Sequence, residues 1–526
     1  MQKAGSLNAM GGNSAASAAG TQHSFSDEEK VAFVDWINYV LADEPECKKY
    51  MPIKEAGEDL FRKSTDGILL MKLINDAVPD TIDERAINKK ATHPVQISEN
   101  LTLMLNSSRA IGCNVVNIDA QDIAAGTPHL MLGLIWQIIR IGLFARINLT
   151  NVPGLARLLE GNETLEQLMA LPVEHLLLRW FNYQLDQAQH NRRVANFGKD
   201  IKDSECYTIL IKQIAPPGAG CDLSPLSLSD DKERAAQMLE QADKIGCRKF
   251  VRPADVAKGN QKLNLAFVAN MFSMYPNLEA LETEVEVIEE SREDKTYRNW
   301  MNSLGVDPFV NNLYQDLRDG LVLIQLFDKI QPGIVDWNKV NRPPWKKLGG
   351  NMKKLENCNY ALELGKQMNF SLVGIGGTNI FEGHKMLTLA VVWQMMRAHT
   401  LSILNKLAGG GAGVRIGDRE IVDWVNATLQ GAGKATSITG FKDNTISTSL
   451  AVIDLVDAIK AGSIQYDLVY PEPSSIEEKM KNAKYAVSMA RKVGATVFAL
   501  PEDLVEVKPK MVLTVFATIM AVGVSM

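Results

Sequence analysis

Apolar residues recur along this chain at intervals of three and four rather than two, which predicts amphipathic helices and leaves little room for strands. The pattern is clearest in Val31-Ala-Phe-Val-Asp-Trp-Ile-Asn-Tyr-Val-Leu41, where Phe33, Val34, Trp36, Ile37, Val40 and Leu41 share one face. Ser26-Asp-Glu-Glu29 just before it has the layout of a capping box. The centre of this stretch, Trp-x-Asn, returns as Trp180-Phe-Asn182, Trp300-Met-Asn302 and Trp424-Val-Asn426, at intervals of about 120 to 145 residues. Such a period suits whole small domains, because solenoid units run to about 20 to 50 residues.

Each interval holds three further helical patterns. A second helix follows a polar turn, at 66–74, 203–211, 319–327 and 449–456. A third ends at Gly112, Gly246, Gly365 and Gly494, each expected to cap a helix C-terminus. A closing helix spans 128–139, 263–272, 386–396 and 509–520, and Thr127-Pro128 supplies the first of these with a cap and a first-turn proline. The fold class is therefore all-α, four bundles of four principal helices with short connecting ones.

The four units are not equal copies. Units one and three place Asp-Gly before the second helix (Asp66-Gly67, Asp319-Gly320) and Trp-Gln in the last (Trp136-Gln137, Trp393-Gln394), and units two and four lack both. The order is A-B-A′-B′, so the doubled module is a pair. The expected divisions are a flexible Gly/Ala/Ser-rich tail over 1–24, bundles over 25–147, 165–277, 294–405 and 414–524, an acidic linker over 278–293 and a glycine-rich linker over 408–413. The connection 155–171 keeps a helical pattern, which predicts a stiffer join between units one and two.

Composition narrows the function more than the fold. With 526 residues, 46% hydrophobic and 22% charged, the chain can build several ordinary cores. Cys47, Cys113, Cys206, Cys221, Cys247 and Cys358 form no paired spacing, so neither disulfides nor zinc are expected, which suits a reducing cytoplasm. The run 130–145 is broken by Gln137 and Arg140 and reads as a core helix, so no membrane insertion is expected. A net charge of −6 argues against general nucleic-acid binding. Gly431-Ala-Gly433-Lys434 fails as a phosphate loop because Thr428 and Ala435 stand where glycine and Ser/Thr are needed. Gly374-Ile-Gly-Gly377 lacks the rest of a dinucleotide fingerprint, and His129, His175, His384 and His399 are isolated. No catalytic residue, metal or cofactor is assigned, and the expectation is a non-enzyme.

What remains is a surface. The loops after the second helix of units one and three align as Asp83-Glu-Arg-Ala-Ile-Asn-Lys89 and Asp336-Trp-Asn-Lys-Val-Asn-Arg342. The first continues through Lys90 and Thr92, and the second through Pro343-Pro-Trp345-Lys-Lys347. Units two and four carry no such cluster. Two basic patches on an acidic chain, with Arg85, Lys89 and Lys90 in one and Lys339, Arg342, Trp345, Lys346 and Lys347 in the other, are suited to steering association with an acidic partner.

These stretches, together with Thr296-Tyr-Arg-Asn-Trp-Met-Asn-Ser-Leu-Gly305, Asn351-Met-Lys-Lys-Leu-Glu-Asn-Cys-Asn-Tyr360 and Ala499-Leu-Pro-Glu-Asp-Leu-Val-Glu-Val-Lys-Pro-Lys510, resemble the calponin-homology domains of the fimbrin (plastin) family from about Phe25 onward. The resemblance implies two tandem actin-binding domains packed compactly in one monomer, tying two actin filaments into a bundle. It places candidate actin contacts on the first helix of unit one (including Asp35), on 88–100 (including Asn88 and Thr92), near Arg179 in unit two, and on 297–304 and 339–347 of unit three. Family members usually open with calcium-binding EF-hands, and a Gly/Ala/Ser tail stands there in this sequence, so calcium control is not expected. The other reading is a scaffold that uses only its first pair on actin and the second on another partner.

Overall fold

The computed structural model describes residues 26–280, 290–346, 348–407 and 416–526. The expected tail over 1–24, the glycine-rich linker over 408–413, residues 281–289 of the acidic linker and Lys347 fall outside the described residues. Among the described residues the structure is helical throughout, without strands. Unit one contains α1 (Asp27–Val40), α2 (Ile68–Ala77), α3 (Pro94–Ala110) and α4 (Pro128–Ala145). Unit two contains α5 (Val173–Gln187), α6 (Glu205–Ile214), α7 (Asp231–Lys244) and α8 (Gln261–Met274). Unit three follows with α9 (Arg292–Ser303), α10 (Leu321–Ile330), α11 (Gly350–Gln367) and α12 (Lys385–Leu407). Unit four closes with α13 (Asp418–Gly431), α14 (Leu450–Ile459), α15 (Ile476–Lys492) and α16 (Pro509–Ser525).

The recurring Trp-x-Asn now has a physical account for both residues. Trp36, Trp180 and Trp300 are buried and Trp424 is half-buried, each on its unit's first helix. Two positions on, the asparagine clamps the loop that follows. Asn38 exchanges two hydrogen bonds with the backbone of Ile53, Asn182 with Val194, Asn302 with Val310 and Asn426 with Ile438, all at 2.8–2.9 Å. A carboxamide is both donor and acceptor, so it can close such a ring on the N–H and C=O of one residue where Asp or Leu cannot.

A second asparagine clamp holds the loop ahead of the third helix. The Asn100 amide donates to the carbonyls of Asp66 and Asn88 and accepts from Asn88 N–H, and Asn357 does the same with Asp319 and Asn341. Asn482 repeats it with Thr448 and Tyr470. In unit two Arg234 reaches the carbonyls of Asp203 and Leu228 instead. The residue ahead of the second helix is left-handed in all four units: Gly67 (φ 78°), Ser204 (59°), Gly320 (75°) and Ser449 (60°). Hence the A units use Asp-Gly and the B units accept the cost of a left-handed serine.

Three local expectations need correction. Gly365 does not cap its helix: α11 runs on to Gln367 and the left-handed turn falls on Asn369 (φ 61°). Gly365 instead lies where an added Cβ would sit 3.2 Å from Leu372 Cδ1, so its small size serves packing. Ser26 caps α1 by accepting from Glu29 N–H, but Glu29 completes no box because its carboxylate turns to Lys262 at 2.9 Å. Thr127 stands at the N-cap of α4 without a side-chain capping bond, leaving only Pro128 in its expected role.

Candidate functional site

The A and B units of each pair are joined by the same three-part contact. Lys262, in the first turn of α8, pairs with Glu29 of α1 at 2.9 Å and lies 5.6 Å from the ring centre of Trp136 on α4. Lys510, in the first turn of α16, pairs with Glu293 of α9 at 3.1 Å and lies 5.8 Å from Trp393 on α12. Trp136 and Trp393 are the tryptophans of the Trp-Gln signature, so that signature marks a surface built to receive a B unit. The following glutamines have a separate task, closing on the backbones of Asn114 and Ser371. Trp36 adds to the first pair by stacking on Phe250 at 4.7 Å.

The two basic loops differ in environment although their sequences align. In unit one, Lys89 lies 2.5 Å from Glu46 and 3.7 Å from Glu84. Those glutamates, with Glu44, also surround buried Lys72 at 2.5–3.2 Å. Burial opposes the charge on Lys72, but Glu84 and Glu44 outweigh it and raise its pKa. Arg85 is spent inside the molecule: it donates to the carbonyls of Leu468 (2.8 Å) and Lys481 (2.6 Å) of unit four and lies over Tyr485. Asn88 accepts from Lys492 of unit four at 2.9 Å, and Glu99 pairs with Lys460 at 2.6 Å. Lys90 and Thr92 are exposed.

In unit three the position of Lys72 is taken by Gln325, which binds the Asp307 backbone, and among the described residues no carboxylate is bonded to it. The loop cations lie against aromatic rings instead. Lys339 is 5.8 Å from the centre of Tyr360, Arg342 5.5 Å from Trp337 and Lys354 5.5 Å from Trp345. Lys339, Arg342 and Lys346 are exposed and form no ion pair among the described residues, whereas Trp345 is half-buried beneath Lys354. A cation held by a ring keeps its net charge; one held by a carboxylate does not. The second loop is therefore the more positive, with its rings fixing where the charge stands.

The two remaining candidates lie elsewhere. Asp35 faces the cleft between units one and two, 3.7 Å from Arg252, which pairs more closely with Glu55 at 2.8 Å. Burial, then the neighbouring Glu55, raises the Asp35 pKa. Arg179 is bound by Glu163 at 2.5 Å, and that pairing raises its own pKa and lowers that of Glu163. The structure thus brings Arg85 and Asn88 together against unit four, leaves Lys90 and Thr92 on open surface, and sets Asp35 and Arg179 in separate ion-pair networks. Sequence reading did not reach the unit-one contacts of α15, because Ser488, Arg491 and Lys492 are about 400 residues from their partners Asp83, Thr81 and Asn88. Lys262 and Lys510 were within reach, since each stands second in its closing helix.

The sequence profile of the calponin homology (CH) domain matches residues 27–143, 171–277, 291–400 and 416–525. Four such bundles in two A-B pairs define a tandem calponin-homology protein. Fimbrin of Dictyostelium discoideum is 59% identical over 519 residues, spanning 99% of this chain and 84% of that relative. Plastin-3 of Homo sapiens is 57% identical over 527 residues, 98% of this chain and 83% of the relative. Among solved structures, the actin-crosslinking core of Schizosaccharomyces pombe fimbrin matches with a TM-score of 0.80 at 42% identity, over 94% of this chain and 100% of that one. The chain belongs to the fimbrin/plastin family.

Proposed function

We propose that this protein binds the sides of actin filaments through each of its two calponin-homology pairs and cross-links two filaments into a bundle as a single cytoplasmic polypeptide. The observation that carries this is the repeated pair itself: the Lys262–Glu29–Trp136 contact recurs as Lys510–Glu293–Trp393, so both halves are assembled on one plan. The similarity to the actin-crosslinking core of S. pombe fimbrin supports the same reading over nearly the whole chain. Two grips in one molecule explain bundling by simple linkage: once one half is bound, the other searches a small volume, so weak single contacts hold together.

In this reading the exposed Lys339, Arg342 and Lys346 of unit three, with Lys347, meet the acidic filament surface, and Lys90 and Thr92 do so from unit one. Arg85 and Asn88 serve actin only where the contact with unit four opens; in the packed molecule they set how the halves sit. Asp35 and Arg179 belong to the first pair's surface near the join of its two units. Sedimentation with filamentous actin tests the proposal. A bundler brings filaments down at low speed, whereas a protein that binds through one half alone joins the pellet only at high speed.

A further inference from the structure

A mainly apolar recess lies where units one, three and four meet, a cavity of about 620 Å³. Unit one contributes Arg109 and Val116, unit three contributes Trp300 and His399, and the closing helix of unit four contributes Ala517 and Ala521. The volume falls in the range of small-molecule sites, about 300 to 1,000 Å³, and such sites pair an apolar wall with few fixed polar groups. Exposed apolar side chains gather at its rim, where Val116, Ile403, Leu407 and Met526 all border it. Isolated exposed apolar residues need no explanation, but a cluster around a recess marks a place where something binds.

The hydroxyls in the wall (Ser303, Thr400, Thr496, Thr514, Thr518 and Ser525) already donate to acceptors within the protein, and the charge is sparse and of one sign. Arg109 is the only charged side chain in the wall, and no Asp or Glu side chain lines it. The guanidinium donates to the side-chain oxygen of Asn106 at 2.8 Å and forms no ion pair among the described residues. Burial pushes its pKa down, as expected for a cation taken from water without a counter-charge. The His399 ring accepts from the Trp300 indole at 3.4 Å, and burial together with nearby Lys406 lowers its pKa to about 4, so it is neutral near pH 7. A desolvated guanidinium has planar paired donors suited to a carboxylate, and its single charge balances a single negative one.

We propose that this junction cavity binds a single-chain aliphatic carboxylate, with the head group on Arg109 and the hydrocarbon chain between Trp300 and the α16 wall. Because the walls come from both halves of the molecule, the ligand favours the arrangement in which they are packed together. The inference stands independently of actin binding.

The test uses the full chain and 12-bromododecanoate, whose bromine quenches indole fluorescence on contact. The expected result is saturable one-to-one quenching that is largely lost in Trp300→Phe, with the melting temperature raised by the carboxylate. Binding should weaken at least tenfold in Arg109→Gln and for dodecanol in place of dodecanoate. From octanoate to dodecanoate, affinity should rise by about three- to fourfold per added methylene. Ala521→Phe fills the recess from its partly exposed wall and should abolish binding without touching Arg109, which keeps the test decisive if the arginine variant folds poorly. Quenching that survives Trp300→Phe, equal affinity for the alcohol, several molecules bound per chain, or binding undiminished in Ala521→Phe would each overturn the proposal.

Discussion

At the scale of single residues, the asparagines of Trp-x-Asn do as much to define the unit as the tryptophans. Asn302 is buried and makes both its bonds to Val310. Replacing it with Ala leaves a buried N–H and C=O unpaired, a loss on the order of 2 to 3 kcal/mol that urea unfolding should report as a lower midpoint at unchanged slope. His399 gives a pH signature. Its folded pKa is depressed from the ordinary 6.5 to about 4, so stability is complete above pH 6.5 and falls as the unfolded chain takes up a proton that the folded ring refuses. Between pH 6.5 and 4 the loss is on the order of 2 kcal/mol after allowing for solvent in the adjoining cavity. The difference in melting temperature between wild type and His399→Gln should accordingly change between pH 7 and pH 5, against the wild type at the lower value. The tryptophans were legible in the sequence because helical periodicity is a local signal. The clamps were not, since nothing local tells an asparagine which distant peptide it will hold.

At the scale of elements, the second helix of each unit starts from a left-handed residue that locks it against the third. Gly320 shows how tightly: an added Cβ would lie 2.8 Å from the backbone of Asn357 and Cys358. Gly333 has a similar φ of 85° but nothing within 4 Å of the same position. Gly333→Ala should therefore cost only the conformational penalty, about 1 kcal/mol, whereas Gly320→Ala adds a backbone clash and should cost several times as much in the same unfolding measurement. The Asp-Gly signature was readable from sequence as a difference between A and B units. Its meaning was not, because serine fills the same conformation at Ser204 and Ser449. Gly365 fails as a cap for a related reason: a helix ends where a left-handed residue is available, and Asn369 supplied it two residues past the end of α11.

At the scale of the whole molecule, the four units are held in two pairs and the pairs are held to each other. Buried Arg491 helps to join unit four to unit one by donating to the carbonyls of Thr81 and Val497, and burial lowers its pKa to about 10. No reading of a single loop could anticipate that Arg85 and Asn88 would be taken up by the contact with unit four while Lys339, Arg342 and Lys346 of the aligned loop stay open. The aligned loops were legible; their unequal electrostatics follow from Lys72 and its glutamates standing where unit three has Gln325. Salt should therefore weaken the second half's hold on actin more than the first's, since uncompensated surface cations are the ones that screening removes. The central claim is that one polypeptide carries two separate grips, and it is tested most directly by low-speed sedimentation of actin filaments with wild type and with Lys339→Glu/Arg342→Glu/Lys346→Glu. The wild type should pellet bundles at low speed, and the variant should lose that activity yet still join single filaments at high speed. Full bundling by the variant would contradict the assignment of the second grip to this loop, and a wild type that never pellets filaments at low speed would contradict the two-grip account itself.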